Sequence, residues 1–156
     1  MTPDPLFPVA IALGSNLGDR HTSLRAAIDQ LRPLLQSMRA SSFHETAPVG
    51  VGDQPMFLNA AVVGETKLPA HDVLRALLDI EARHGRERPY PGAPRTLDLD
   101  LILYGGEVID SPELVVPHPR FRQRRFVLEP LSEIAADWRD PITGRTVSEL
   151  LLTLSG

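Results

Sequence analysis

The sequence predicts an α+β fold in which two helices pack on one face of a mostly antiparallel sheet, with a C-terminal extension. Three observations predict it: apolar alternation at strand spacing, two stretches with helical spacing, and their order along the chain, β-α-β-β-α-β. The chain has 156 residues, of which 42% are hydrophobic and 23% charged. That size and composition are typical of one soluble domain, so we expect a single domain over residues 1–156.

The first half of the chain shows these elements in order. A buried strand over 9–13 ends at a Gly-Ser-Asn turn, and Asp19 is placed to cap the next helix. Apolar residues recur in that helix every three or four positions, and Pro33 kinks it or ends it early. The elements that follow are a strand over 41–46, a loop over 47–55, a strand over 56–63, a turn over 64–67 and a helix over 70–84.

The second half begins with a strand over 97–104 and continues into the extension. A Gly105-Gly106 turn leads to Val108 and Ile109, which we interpret as a hairpin partner of that strand. The tail from Arg125 onward is expected to form one or two short helices. The complete order is the split βαβ, or ferredoxin-like, arrangement. It leaves one sheet face open to a ligand, although such a fold does not define a function.

Two carboxylates share one face of the strand over 97–104. Side chains alternate between the faces of a strand, so Asp98 and Asp100 lie on the same side, roughly 6.6 Å apart. At an effective dielectric constant of about 20 they repel by roughly 2.5 kcal/mol. A fold that keeps both ionised is expected to supply a cation, and oxygen ligands suit Mg²⁺ when phosphates complete its coordination. The alternative is a solvated strand face. The pattern also places Ile102 and Tyr104 on the acidic face, and Leu97, Leu99, Leu101 and Leu103 on the other.

Charge and composition exclude several classes of protein. The net charge of −4 argues against a general nucleic-acid binder. Half of the sixteen basic residues are nevertheless arginines between 83 and 125, which favours a local polyanion site. The chain has no cysteine, so thiolate chemistry and disulfides are excluded. Without a visible signal peptide or apolar span, we expect a cytoplasmic protein that does not bind membranes.

Five short segments, in order, carry a resemblance to a known family. They lie at 12–18, 46–50, 54–60, 94–100 and 116–120, the last with Arg124 and Phe126. The sequence resembles the 6-hydroxymethyl-7,8-dihydropterin pyrophosphokinases of folate biosynthesis from about Val9 to Leu131. The resemblance implies transfer of pyrophosphate from ATP to 6-hydroxymethyl-7,8-dihydropterin, giving AMP and the pterin pyrophosphate. It also implies two Mg²⁺ ions, small-molecule substrates only, and a monomer.

The resemblance assigns roles to residues of this chain. It makes Asp98 and Asp100 the metal ligands and, with Arg86 and Arg95, the catalytic residues. The loop over 89–94 lacks the tryptophan that many family members carry. The positions matching pterin contacts are Thr46, Ala47, Val49, Phe57, Asn59 and Phe126. The positions matching ATP contacts are Glu81, Arg86, Arg88, Arg95, Leu101, Val116, His118 and Arg124.

Two other functions fit parts of the sequence. A different metal-dependent phosphoryl-transfer or hydrolytic enzyme could use the same aspartate pair, although the chain has neither a P-loop nor the protein-kinase motifs. A non-enzymatic module could bind RNA across the sheet, which requires a basic face with aromatic residues. Asp98 and Asp100 on that face oppose the RNA-binding alternative. Detection of AMP rather than ADP separates the pyrophosphokinase from the other enzyme.

Overall fold

The computed structural model describes residues 5–46, 56–84 and 96–154, and within them it has the predicted α+β, ferredoxin-like architecture. The sheet order is β2-β4-β1-β5, every pairing is antiparallel, and the short β3 pairs with β4. The elements are β1 (Phe7–Ser15), α1 (Arg20–Leu31), β2 (Gln36–Ala40), β3 (His44–Thr46), β4 (Phe57–Thr66), α2 (Ala70–Arg83), β5 (Asp98–Tyr104), β6 (Ile109–Asp110), β7 (Val115–Val116), α3 (Arg125–Ala135) and α4 (Val147–Thr153).

Helices α1 and α2 pack on one face of this sheet, as predicted. The Asp19 side chain caps α1 by accepting a hydrogen bond from the Thr22 N–H at 3.1 Å. Pro33 lies in a 3-10 turn over Arg32–Leu34, directly after the helix ends. The apolar sides of both helices meet the sheet in one continuous core, which includes Val9, Ile11, Leu24, Leu31, Val62, Leu77 and Ile80.

The other face of the sheet is not open along its whole length, which corrects the prediction. Helices α3 and α4 cover part of it and bury a second apolar core. In that core Ala10, Val63 and Ile102 from the strands contact a layer that includes Val127 and Leu131 from α3. The extension is therefore a structural layer, and only the sheet face beyond it is left for a site.

The prediction that Leu103 shares a face with the other three leucines of β5 was wrong. The register between β1 and β5 shifts between Ala10 and Ile11, because one extra residue of β5 is inserted there. Leu103 therefore joins the second core, and Tyr104 turns to the α1–α2 side. The Tyr104 hydroxyl donates to the Leu68 carbonyl oxygen at 2.5 Å. Asp98 and Asp100 precede the bulge and keep their predicted common face.

Four assignments of strand position and pairing also change. The strand over 36–40 is absent from the prediction, and the strand placed at 41–46 contains only His44–Thr46. Ile109 pairs with Val116 of β7, so the hairpin partner of β6 is β7 and not β5. In addition, β4 continues to Thr66, through the segment assigned to a turn.

A buried ion pair ties the segment before α3 to the segment before α4. Asp140 is fully buried, and its carboxylate accepts hydrogen bonds from the Arg122 guanidinium, one of them at 2.9 Å. The Ile142 N–H at 3.0 Å and the Thr143 hydroxyl at 2.8 Å also donate to this carboxylate.

Within the described parts of the chain, no helix has the length and apolarity needed to cross a membrane.

Candidate active site

The sheet face beyond α3 carries an amide and two carboxylates in neighbouring rows. Gly14 of β1 lies opposite Asn59 of β4 on one side and opposite Asp98 of β5 on the other. Because paired residues share a face, these three positions form one row across the sheet. The next row towards the covered part contains Ala61, Ala12 and Asp100.

The sheet surface between these polar residues carries only small side chains. Gly14 has no side chain, and a Cβ built there would lie 3.1 Å from Asn59 Oδ1 and 3.7 Å from Phe57 Cδ1. The next row has alanine on both β1 and β4. Glycine at position 14 therefore lets the Asn59 amide lie across β1, and a flat group can approach the backbone closely.

The β3–β4 side of this face is polar and aromatic. Asn59 is 5% exposed, and its Nδ2 donates to Thr46 Oγ1 at 2.5 Å. Thr46 lies opposite Phe57, whose ring is partly exposed on the same face. The amide of Asn59 carries both N–H donors and a carbonyl acceptor, which suits a heterocycle with both donors and acceptors.

The β5 side carries the two carboxylates. Asp98 and Asp100 are both partly exposed and lie on one face. Among the described residues, no group of three or more histidine, aspartate or glutamate side chains converges as a metal site. Two hard oxygen donors fit Mg²⁺ that takes its remaining ligands from phosphate and water, rather than a cage made only of protein ligands.

His118 lies within electrostatic reach of both Asp100 and Arg124. The His118 N–H donates to the Ile102 carbonyl oxygen at 3.0 Å, which holds the segment after β7 against β5. Burial lowers the pKa of His118 below its ordinary value, the Asp100 carboxylate acts in the opposite direction, and Arg124 and Arg120 lower it further. The Arg124 guanidinium is also 5.5 Å from the ring centroid of Phe126, in the first turn of α3. These residues border the site from the α3 side.

Two more arginines of the 83–125 region have partners within the fold. Arg122 is held by Asp140, and Arg125 pairs with Glu129 at 3.0 Å and donates to the Leu154 carbonyl oxygen at 3.1 Å. Both make contacts within the fold.

Five predicted site residues lie outside the described residues. They are Ala47, Val49, Arg86, Arg88 and Arg95.

Three predicted ATP contacts lie on the α1–α2 side of the sheet. Leu101 and Val116 are 4% and 1% exposed and belong to the first core. The Glu81 carboxylate is buried and accepts a hydrogen bond from the Leu99 N–H at 2.7 Å, so it fixes the end of α2 to β5. The role of these residues in ATP binding stays a prediction.

Two groups of residues that brace the site were not predicted. Arg20 donates to Glu45 Oε1 at 2.6 Å and to the Met56 carbonyl oxygen at 2.7 Å, which joins the end of β3 to the start of β4. Ser42 and His44 contact Glu133 of α3. Each contact joins residues distant in the chain, and a single sequence carries no signal for such a pairing.

The fold and the site together define an α+β enzyme domain, with a polar and aromatic subsite on one side of a sheet face and an acidic subsite on the other. The model of the 7,8-dihydro-6-hydroxymethylpterin-pyrophosphokinase family (HPPK) matches residues 10–136. The chain belongs to this family. It is an enzyme, an ATP-using pyrophosphokinase of folate biosynthesis.

Individual relatives support the assignment. The chain is 47% identical over 126 residues to a 2-amino-4-hydroxy-6-hydroxymethyldihydropteridine pyrophosphokinase of Bacillus subtilis, covering 80% of this chain and 75% of the relative. It is 41% identical over 145 residues to the Pseudomonas aeruginosa protein of the same name, covering 92% and 89%. The wild-type HPPK-DHPS of Plasmodium falciparum, solved with pteroate, has the same fold, with a TM-score of 0.76 at 14% identity. That match covers 98% of this chain but 43% of the Plasmodium chain.

Proposed function

We propose that this sheet face binds 6-hydroxymethyl-7,8-dihydropterin on its β4 side and the phosphates of ATP on its β5 side. The enzyme transfers the β,γ-pyrophosphoryl group of ATP to the pterin hydroxymethyl oxygen, releasing AMP. The row Asn59–Gly14–Asp98 carries the proposal, because it places a buried amide and a carboxylate on one sheet face with only a glycine between them. Two strand spacings separate its ends by roughly 10 Å, so the hydroxymethyl group lies between the two subsites.

On the β4 side, Asn59 orients the pterin edge, and Thr46 fixes the Asn59 amide through its hydroxyl. Phe57 and Phe126 hold the two faces of the ring, since a flat heteroaromatic ring gains by stacking on aromatic side chains. The backbone of Ala47 and Val49 is proposed to line the same pocket. Ordering the ring in this way brings the hydroxymethyl oxygen towards the phosphorus it attacks, and such positioning is a large part of catalysis.

On the β5 side, Asp98 and Asp100 are the ligands for two Mg²⁺ ions. When bound, Mg²⁺ neutralises phosphate oxygens and stabilises the charge that develops in an in-line displacement. His118 lies near Asp100, and Arg124 lies near His118, where both can donate to phosphate oxygens. We assign the remaining phosphate contacts to Arg86, Arg88 and Arg95, and the nucleotide pocket to Glu81, Leu101 and Val116.

Nucleotide product analysis tests the reaction. Purified protein with ATP, Mg²⁺ and 6-hydroxymethyl-7,8-dihydropterin is expected to form AMP and the pterin pyrophosphate in equal amounts. Chromatography of both products at several times measures this. Omission of the pterin, or chelation of Mg²⁺, is expected to abolish AMP formation. ADP as the product, or ATP breakdown that does not depend on the pterin, would mean that the chemistry differs from this proposal.

Phe126 provides a test of the pterin subsite. Because one stacking partner is lost, Phe126→Ala is expected to weaken pterin binding by about 1–3 kcal/mol. Equilibrium binding of 6-hydroxymethylpterin, followed by its fluorescence, measures the change. Phe126→Leu is the matched control, since it keeps the apolar contact with the second core but removes the ring. Unchanged affinity in both variants would restrict Phe126 to a packing role.

The proposal includes a monomeric, single-domain enzyme of the cytoplasm. The two apolar cores lie on opposite faces of one sheet, which supports a single domain. Light scattering of the purified chain tests the monomer, and fractionation of the source cells tests the compartment.

A further inference from the structure

A cluster of four polar side chains fastens α3 to the sheet edge beside the pterin subsite. Glu133 of α3 accepts hydrogen bonds from the Ser42 N–H at 2.8 Å and from the Ser42 hydroxyl, which is 2.8–2.9 Å from both carboxylate oxygens. The His44 Nε2 contacts the same carboxylate, and His44 Nδ1 is 3.9 Å from Glu129 Oε2. We call Ser42, His44, Glu129 and Glu133 the α3–β3 clamp.

Both ends of the clamp continue directly into the proposed pterin subsite. His44 lies opposite Asn59 in the sheet, and Thr46 follows it on the same side of β3. On the helix, Phe126, Glu129 and Glu133 have the spacing i, i+3, i+7 and share one face. The helix face that carries Phe126 is therefore the face that the clamp holds against β3.

The clamp is more than a single surface ion pair. Burial acts to raise the pKa of Glu133, but the hydrogen bonds from Ser42 and His44 outweigh it, so the pKa lies below its ordinary value. Glu129 uses its other carboxylate oxygen for Arg125, which also donates to the Leu154 carbonyl oxygen at the end of α4. The network thus connects β3, the first turn of α3 and the chain after α4.

We propose that the α3–β3 clamp is a positioning device that sets the distance between the two walls of the pterin subsite. One wall is Thr46, Phe57 and Asn59 on the strands, and the other is Phe126 on α3. Glu133 acts through Phe126 and does not touch the pterin itself. The inference rests on the proposed pterin subsite, and it assigns control of pterin affinity to residues outside that subsite.

Steady-state kinetics of Glu133→Ala and Glu133→Gln test this role. Glu133→Ala removes the carboxylate that accepts from Ser42 and contacts His44, so KM for the pterin is expected to rise about tenfold. KM for ATP is expected to change less than twofold and kcat less than threefold, because the substitution leaves the proposed ATP side of the sheet face unchanged. Glu133→Gln keeps an acceptor for the Ser42 N–H, so its KM for the pterin is expected to rise only about threefold.

The control is a variant that destabilises α3 without touching the clamp. Val147 is fully buried in the second core, where α4 packs on α3. Val147→Ala is expected to lower Tm at least as much as Glu133→Ala while leaving KM for the pterin unchanged. The inference is overturned if KM for the pterin is unchanged in Glu133→Ala, or if Val147→Ala raises it equally.

Hydrogen–deuterium exchange separates this inference from the proposed function. Glu133→Ala is expected to accelerate exchange of the backbone amides over 126–129 at least fivefold, and Val147→Ala is not. If the wild-type chain forms no pterin-dependent AMP but this exchange still changes, the proposed function fails, and the control of pterin affinity with it, while the clamp's hold on α3 stands. If the wild-type chain is active and neither the exchange nor KM for the pterin changes, the clamp is wrong.

Discussion

Replacing Asp98 or Asp100 with asparagine is expected to lower kcat by about three orders of magnitude. Asparagine preserves the size of the side chain but removes the charge that holds Mg²⁺ against the phosphates. Lewis-acid stabilisation of a phosphoryl transition state is worth several kcal/mol, and about 4 kcal/mol corresponds to a thousandfold in rate. Initial rates of AMP formation at saturating ATP and pterin measure the loss.

The same variants are expected to stay folded, because asparagine keeps the size of the side chain on a partly exposed sheet face. The loss of kcat then reports on the site and not on unfolding. Thermal unfolding in EDTA compares each variant with the wild type. Asp110→Asn is the matched control, since Asp110 is exposed on β6 and outside the site, and we expect it to change neither kcat nor Tm. Near-normal turnover in Asp98→Asn or Asp100→Asn would remove that aspartate from the metal site.

Asp140→Ala is expected to destabilise the fold by about 3–5 kcal/mol, because it leaves the Arg122 charge without its buried partner. The Arg122 side chain is 23% exposed and its Asp140 partner is fully buried, so water replaces the lost contacts poorly. Urea unfolding at pH 7 measures the change. Asp29→Asn removes a carboxylate from the exposed pair with Arg32, in which the side chains are 73% and 63% exposed. That control is expected to cost less than about 1 kcal/mol.

The contribution of Asp140 also depends on pH. Burial acts to raise its pKa, but hydrogen bonds from Arg122, Ile142 and Thr143 outweigh this and lower the pKa to about 2. A carboxyl with a depressed native pKa stabilises the fold above its unfolded pKa of about 4. The stabilisation of about 2 kcal/mol is lost as the pH falls from about 4 to 2. The stability difference between wild type and Asp140→Asn should therefore shrink over that range, and a difference that stays constant would contradict the assignment.

The elements with strong apolar periodicity were predicted well. Helix α2 differs from its prediction by one residue, and the capped start of α1 is confirmed. Strand β2 has no such signal, since it is an edge strand of mostly exposed residues with a positive φ of 52° at Ser37. Pairing on one side only, without a buried face, leaves no alternation to find.

The bulge in β5 and the cover provided by α3 and α4 depend on tertiary contacts. Alternation alone assigned Leu103 and Tyr104 to faces, and one inserted residue reversed both assignments. The amphipathic α3 could be expected from the sequence, but its docking against Ala10 and Ala61 could not. Small residues on the sheet are a weak sequence signal, although they are what lets the helix approach.

The candidate site was predictable to the extent that its residues lie close together in the sequence. Asp98 and Asp100 share a strand, so their common face follows from alternation. The alignment of Asn59 with Asp98 through Gly14 requires the order of three strands, which the ferredoxin-like topology supplies once it is recognised. The contacts of Arg20 and Glu133 join segments that no local pattern connects.

The middle position of β1 in the sheet has a consequence for how the chain folds. β1 is the first strand in the sequence, yet both of its neighbours come much later, with Phe7 opposite Thr66 and Val9 opposite Tyr104. Contacts between residues distant in the sequence form only after a long loop has closed. The entropy lost in closing that loop precedes the stabilisation by the contacts, which slows folding. A nascent chain that has not yet exposed residue 104 can complete neither apolar core. During synthesis the first strand to be made is therefore the one that waits longest for its last partner.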